Sequence, residues 1–256
     1  APRKAHKATR TEEKRGFILW SRGWKGEVGL YDKPAKKERA LRRLSVVAAG
    51  GQRQHMTVTA TPVKPLGKVR LEVSKLADKK GRALPSKAVE IRAVKYMWMG
   101  WPAEVGTGCL FPTSEVPSKD NVNVTFWITV TPPAGTAAGT YRGTATLSAA
   151  KGGTVDLPIS VEVKPFALTN NHQVAFALWR CSDYNMNYCM RYFLPERLDY
   201  FRKILDAEVA DMKAHGLTSW YFNPPIIRGV AGERVILDFT VLDEECRAAK
   251  KGGLCT

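Results

Sequence analysis

Between Phe17 and Val163 apolar and polar residues alternate with a period of two, the spacing of strands that bury one face. The pattern predicts strands at Phe17–Trp20, Val28–Tyr31, Leu41–Ala49, His55–Val63, Val69–Val73, Val89–Trp98, Asn121–Thr131, Tyr141–Ala149 and Thr154–Val163. In HMTVTATPV, Met56, Val58 and Ala60 fall on one face and Thr57, Thr59 and Thr61 on the other. In VEIRAVKYMW a phase slip at Ala93-Val94 predicts a bulge. Turn formers separate the runs: Ala49-Gly50-Gly51, Lys80-Gly81, Pro132-Pro133-Ala134-Gly135 and Lys151-Gly152-Gly153. About nine short strands with almost no helical period predict an all-β antiparallel sandwich over residues 17–165.

The pattern changes after Pro165. NHQVAFALW (171–179) is a continuous apolar run, as a strand buried on both faces would be. LPERLDYFRKILDAEVADMKAHG then predicts a helix, with Leu198, Phe201, Leu205, Val209 and Met212 on one face, Pro195 in its first turn and Gly216 just past its end. LTSWYFNPP (217–225) and RVILDF (234–239) read as two more strands, and VLDEECRAAKKGG as a second helix. Residues 166–256 therefore resemble the start of an incomplete (β/α) barrel, an α/β segment after the sandwich. A complete barrel needs eight strands in ~250 residues, so the predicted open edge requires cover, from chain beyond Thr256 or from a neighbour.

Composition narrows the class. The 256 residues are 44% hydrophobic, 25% charged and 9% aromatic, which excludes collagen-like, dominantly disordered and disulfide-miniprotein chains. No uninterrupted apolar run reaches the ~18 residues of a membrane span. The net charge of +16 is unevenly placed: residues 1–43 carry 14 basic and five acidic side chains, 44–165 carry 15 and eight, and 166–256 carry 11 of each. The basic stretch 1–16 has no apolar period and reads as a flexible arm, able to hold an anionic polymer. It has no aromatic residue before Phe17, so the interleaving expected of a nucleic-acid arm is missing.

The chain opens on Ala1-Pro2, without an initiator Met or an apolar signal core, and the expectation is that an export signal has been removed and the protein is secreted or cell-surface. Of five cysteines, Cys181/Cys189 and Cys246/Cys255 are nearest neighbours able to close short loops, with Cys109 left over; two bridges among five cysteines allow 15 connectivities, and these two are only the nearest-neighbour reading. No Cys-x-x-Cys or His-x-x-x-His spacing occurs, so no metal site is expected, and no phosphate loop, Gly-x-Ser-x-Gly or dinucleotide fingerprint predicts a cofactor.

The segment FWITVTPPAGTAAGTYRGTATLS (126–148) combines Trp127, Val130, Pro132-Pro133 and Gly139-x-Tyr141-x-Gly143. With RALRRLSVVAAGGQRQHMTVTATP before it and LPISVEVKPFALT after it, this order resembles the accessory β-sandwich of family-123-type glycoside hydrolases and related secreted bacterial proteins. HQVAFALWR and LDFTVLDEECRAAKKGGL resemble early strand-to-helix steps of the barrel that follows in that family. One departure is that Gln52, Arg53 and Gln54 stand where the family usually has acidic residues. The resemblance implies carbohydrate chemistry on β-linked N-acetylgalactosamine, in which the substrate's acetamido oxygen attacks and an adjacent Asp-Glu pair assists. That pair lies on a later barrel strand, and Asp243-Glu244-Glu245 reads as a helix start instead, so no catalytic residue is assigned.

In a barrel the functional face lies at the C-terminal ends of the strands, which singles out Trp179, Arg180, Asn223 and Asp238 as carbohydrate-facing candidates. Against this, Trp179 suits a core and Asp238 a turn cap. His172 and His215 read as a strand edge and a helix end, and Tyr96, Trp98 and Trp101 as core or seam before carbohydrate platform. The leading expectation is an exported glycoside-hydrolase-like protein lacking its catalytic pair here. The alternatives are a self-associating structural subunit, joined through the open barrel edge, and a carbohydrate-binding module without chemistry.

Overall fold

The computed structural model describes residues 7–99, 104–168, 198–220 and 224–254. The chain divides into two compact units, Ala1–Thr169 and Asn170–Thr256.

The first unit is two five-stranded sheets packed face to face. A short helix α1 (Arg10–Arg15) leads into β1 (Phe17–Trp20), followed by β2 (Leu44–Gly50), β3 (Gln54–Pro62), β4 (Lys68–Val73), β5 (Val89–Met99), β6 (Glu104–Phe111), β7 (Glu115–Pro117), β8 (Val124–Val130), β9 (Gly139–Ala149) and β10 (Thr154–Ala167). One sheet has the order β1-β3-β8-β5-β6, the other β2-β10-β9-β4-β7. Between them lie Phe17, Met56, Val58, Phe126, Ile128, Leu71, Leu147, Ile159 and Val161, the inward half of the predicted alternation. The pairing is antiparallel except at β2 and β10, which run parallel with Leu44 opposite Ile159 and Ala48 opposite Val163. The turn after β2 does not make a hairpin: it carries the chain across to the other sheet, and its Gln52 Oε1 accepts the Ala49 N–H at 2.9 Å.

The Tyr141 motif works as its chemistry suggests. The ring is buried and the hydroxyl donates to the Ala137 carbonyl at 2.8 Å, which ties the turn before β9 to the strand itself. A Cβ on Gly143 would stand 3.0 Å from the Lys75 carbonyl and 2.7 Å from Leu76, so only glycine lets that loop lie against β9.

Several local expectations are corrected. Residues 28–31 are not a strand; they belong to a loop, 21–43, laid over the outer face of the first sheet. Asn123 Nδ2 donates to the Gly29 and Asp32 carbonyls at 2.8 and 3.1 Å, and Tyr96 Oη donates to the Val28 carbonyl at 3.0 Å, so side chains from beneath take up three of the loop's carbonyls in place of a ladder. The bulge sits two residues later than predicted, between Lys95 and Tyr96 opposite Gly108. Trp98 is not core but 65% exposed, and Trp101 lies outside the described residues. Part of the presumed flexible arm is folded. Thr9 and Glu12 form a reciprocal capping box on α1, and the Glu12 carboxylate is also paired with Arg39.

In the second unit the predicted helix is α2 (Leu198–Ala214), and Phe201, Leu205 and Val209 are buried with Leu198 and Met212 beside them. Gly216 follows its end at φ 85°. β11 (Ile226–Ala231) and β12 (Arg234–Asp238) then form an antiparallel hairpin, and α3 (Thr240–Gly252) follows. The parallel strand expected at 234–239 is thus the second arm of a hairpin. Leu217 and Trp220 are buried but 217–220 is not a strand, and the expected strand at 171–179 lies outside the described residues.

α2 and α3 are laced by ion pairs that advance in step along both helices. Arg202 holds Glu244 at 2.6 Å, Asp206 holds Arg247 at 3.2 Å and Lys251 at 2.6 Å, and Lys213 Nζ donates to the Gly252 carbonyl at 2.9 Å. Partners in matching order mean that the helices run parallel. The chain between them must therefore climb back the length of α2, about 25 Å for 17 residues. Trp220, on that return stretch, is buried with Leu205, Val209, Val241 and Ala248. Among the described residues no helix is long and apolar enough to cross a membrane.

Candidate functional site

The outer face of the first sheet is paved with hydroxyls. Thr57, Thr59 and Thr61 on β3 face away from the core, as the alternation predicted, yet they are buried. Burial of hydroxyls requires partners, and the sheet supplies them. Trp20 Nε1 donates to Thr61 at 2.9 Å, Thr61 donates to Asn123 Oδ1 at 2.5 Å, and the Thr59 and Thr125 hydroxyls meet at 3.0 Å. Ser21 reaches Thr57 at 3.0 Å, from the start of the covering loop. Arg22 then gathers that loop, donating to Glu38 at 2.8 Å, to Asp32 at 2.5 Å and to the Glu27 carbonyl at 2.8 Å. The hydrogen bond from Arg22 holds the Glu38 carboxyl below its ordinary range, despite some burial.

Where the loop stops short of β6 a groove of 400 Å³ remains. Its floor is Thr57, Thr125 and Trp127 from β3 and β8; Trp24–Val28 form one wall, and Val94 with Thr107–Leu110 form the other. Trp127 is half-buried and its Nε1–H donates to His55 Nδ1 at 3.1 Å. The His55 ring is placed in turn by Thr129 at 3.2 Å and lies edge-on to Trp24, with centroids 5.7 Å apart. Trp24 is 44% exposed, and the Lys25 ammonium sits 5.3 Å from its ring centre. Thr107 Oγ1 donates to Glu27 Oε1 at 2.7 Å, tying the loop wall to the strand wall. Burial pushes the Tyr96 phenol up, with Asp32 and Glu27 adding to the effect against a hydrogen bond with Thr125, so Tyr96 stays a neutral donor beneath the loop.

Glu27 is the one carboxylate among the residues lining this groove. Among the described residues no group of His, Cys, Asp or Glu side chains is arranged to hold a metal.

Of the four sequence candidates, Trp179, Arg180 and Asn223 lie outside the described residues. Asp238 is engaged at the junction of β12 and α3. Its Oδ1 accepts the Thr240 N–H and hydroxyl at 2.9 and 2.6 Å, and its Oδ2 accepts Arg228 Nε at 2.8 Å. The Thr240 bonds first, then Arg228, pull its carboxyl down to about 2. Glu244, from the acidic triplet, is committed to Arg202 and Arg247. His215 is at the end of α2, with Nδ1 2.8 Å from the Asp211 carbonyl oxygen. His172 lies outside the described residues. Cys109, on the groove wall, and Cys246 are free thiols; Cys255, the partner read for Cys246, and the Cys181–Cys189 pair lie outside the described residues. Sequence reading missed the groove because Trp24 stands in a loop without periodicity, and only the fold brings it to Trp127.

No protein-family model matches the chain. No curated protein matches it either. Among solved structures it is similar to a family 123 glycoside hydrolase from Clostridium perfringens, described for glycolipid glycan hydrolysis, with 15% identity and a TM-score of 0.68. The match covers 84% of this chain and 42% of the hydrolase, so the chain spans less than half of that protein's length. At that identity the likeness is one of fold. A PapD-like domain of human CEP192 matches at 10% identity over 64% of this chain and 96% of that domain, with a TM-score of 0.30, too low to bear on fold or function.

Proposed function

We propose that this chain is a glycoside-hydrolase-like carbohydrate-binding protein, built as an accessory sandwich followed by the opening of a (β/α) barrel and acting outside the cell. The observation that carries the reading is the likeness of fold over 84% of the chain to a glycan-cleaving enzyme. Parallel α2 and α3, with a buried return stretch between them, are what consecutive (β/α) repeats require, because neighbouring helices of a barrel run the same way. On this reading the β11–β12 hairpin, which leads directly into α3, is an excursion from the repeat and not a third barrel strand.

Of the carboxylates that the sequence raised, Asp238 and Glu244 are each held by an arginine and shape the unit itself. The expected activity of the chain is therefore binding without turnover. A glycan array probed with the full chain tests this, together with a chromogenic N-acetyl-β-galactosaminide. Retention on a defined group of glycans with no release of chromophore is the expected result. An array with no glycan bound overturns the carbohydrate reading, and turnover of the chromogenic substrate overturns its non-catalytic part.

A further inference from the structure

The groove on the sandwich has the features of a site for one class of ligand. It is concave, its 400 Å³ falls within the ~300–1,000 Å³ of small-ligand sites, and it mixes two indole rings with hydroxyls and a single carboxylate. A pyranose has the matching surface, with apolar C–H faces and a rim of hydroxyls that both donate and accept. An aromatic ring offers a broad apolar surface for little conformational cost, and the Thr57, Thr107 and Thr125 hydroxyls and the Glu27 carboxylate can meet the rim.

The site is also assembled in advance. Trp127 is fixed by its bond to His55 and by β8, and Thr107 and Glu27 already lock the two walls together. Binding therefore does not have to order these groups, which is where weak sites lose affinity. Trp24 is the exception that needs explaining: a large apolar side chain left 44% exposed on a concave surface, although Trp20 just before it and Val28 in the same loop are completely or nearly buried. Charge decides against a polyanion. The groove lining holds one lysine, Lys25, and one carboxylate, Glu27, so the chain's net +16 is not concentrated there.

We infer that this groove is a binding subsite for a neutral pyranose chain, with Trp24 and Trp127 as its stacking surfaces and Glu27 and Thr107 as hydrogen-bonding groups. The choice of carbohydrate as the ligand rests on the function proposed above; the location rests on the groove itself.

Calorimetric titration of the full chain tests the assignment, with four probes: cellotriose, maltotriose, chitotriose and a trisaccharide ending in β-N-acetylgalactosamine. At least one probe binds, and Trp24→Ala, on the exposed loop, weakens that binding tenfold or more. Trp127→Ala does the same and Trp127→Phe retains affinity within threefold, each variant first matched to the parent by its thermal transition. Should Trp127→Ala fail to fold, Trp24→Ala alone decides. Binding that survives Trp24→Ala unchanged moves the site elsewhere and overturns the inference while leaving the function standing. Silence with all four probes overturns the inference, and the array result then reports separately on the function. Preferential binding of a short heparin oligosaccharide, lost in Trp24→Ala, would place a polyanion in the groove and overturn the assignment of a neutral sugar.

Discussion

Single side chains hold the covering parts of the sandwich in place. Glu12 is the clearest case, because one carboxylate closes the capping box of α1 and pairs with Arg39 from the loop 21–43. Burial works to raise its pKa, but the Thr9 N–H and Arg39 outweigh that and hold it below its ordinary 4.5. A depressed carboxylate contributes stability above its unfolded pKa and loses it as pH falls through the folded value. The prediction is that Glu12→Gln lowers the melting temperature by about 2–4 °C at neutral pH, the equivalent of ~1 kcal/mol, and that the gap to the parent closes as the solution is acidified below the ordinary carboxylate range. A gap that stays constant from neutral to acid pH would show that the charge on Glu12 is not what anchors α1. This role was hard to read from the sequence: Thr9-x-x-Glu12 is a cap signature, but it sits in a run of lysines and arginines that reads as solvated arm.

At the scale of elements, strands with one clean apolar face were legible and those without were not. β3 and β8 followed their alternation, and α2 buried the face that its three- and four-residue spacing marked. β6 was missed because Gly106 and Gly108 interrupt EVGTGCLF, and β7 because three residues carry no period. Of the β11–β12 hairpin only the second arm was read as a strand, and β11 was missed because Arg228 and Gly229 interrupt its apolar residues. The turn at Ala231-Gly232-Glu233, with Gly232 at φ 63°, was the available signal.

A Cβ on Gly252 would stand 2.1 Å from Val209 Cγ1, so α3 lies against α2 only because that position has no side chain. Gly252→Ala should therefore destabilise the second unit by about 1–3 kcal/mol through overpacking, although alanine favours a helix over glycine by roughly 1 kcal/mol. Gly229→Ala, where an added Cβ meets nothing within 4 Å, should leave stability nearly unchanged. Helical circular dichroism followed through thermal unfolding reads both. Stabilisation by Gly252→Ala would mean that the two helices do not meet there.

The whole molecule comprises a sandwich that carries a groove and a second unit with two parallel helices and a buried return stretch. In the sequence the period changes at Pro165, and the structure divides into units between Thr169 and Asn170. The groove did not show, since Trp24 and Trp127 come to line one groove only after the loop has folded over the sheet. The central claim is that a sugar is held there. A crystal structure of the chain with its bound array-selected oligosaccharide tests it most directly. The account predicts a pyranose ring against the Trp24 and Trp127 indoles, within about 4 Å, with a hydroxyl on Glu27. A sugar ordered at another place on the molecule, with the groove left to solvent, would contradict it.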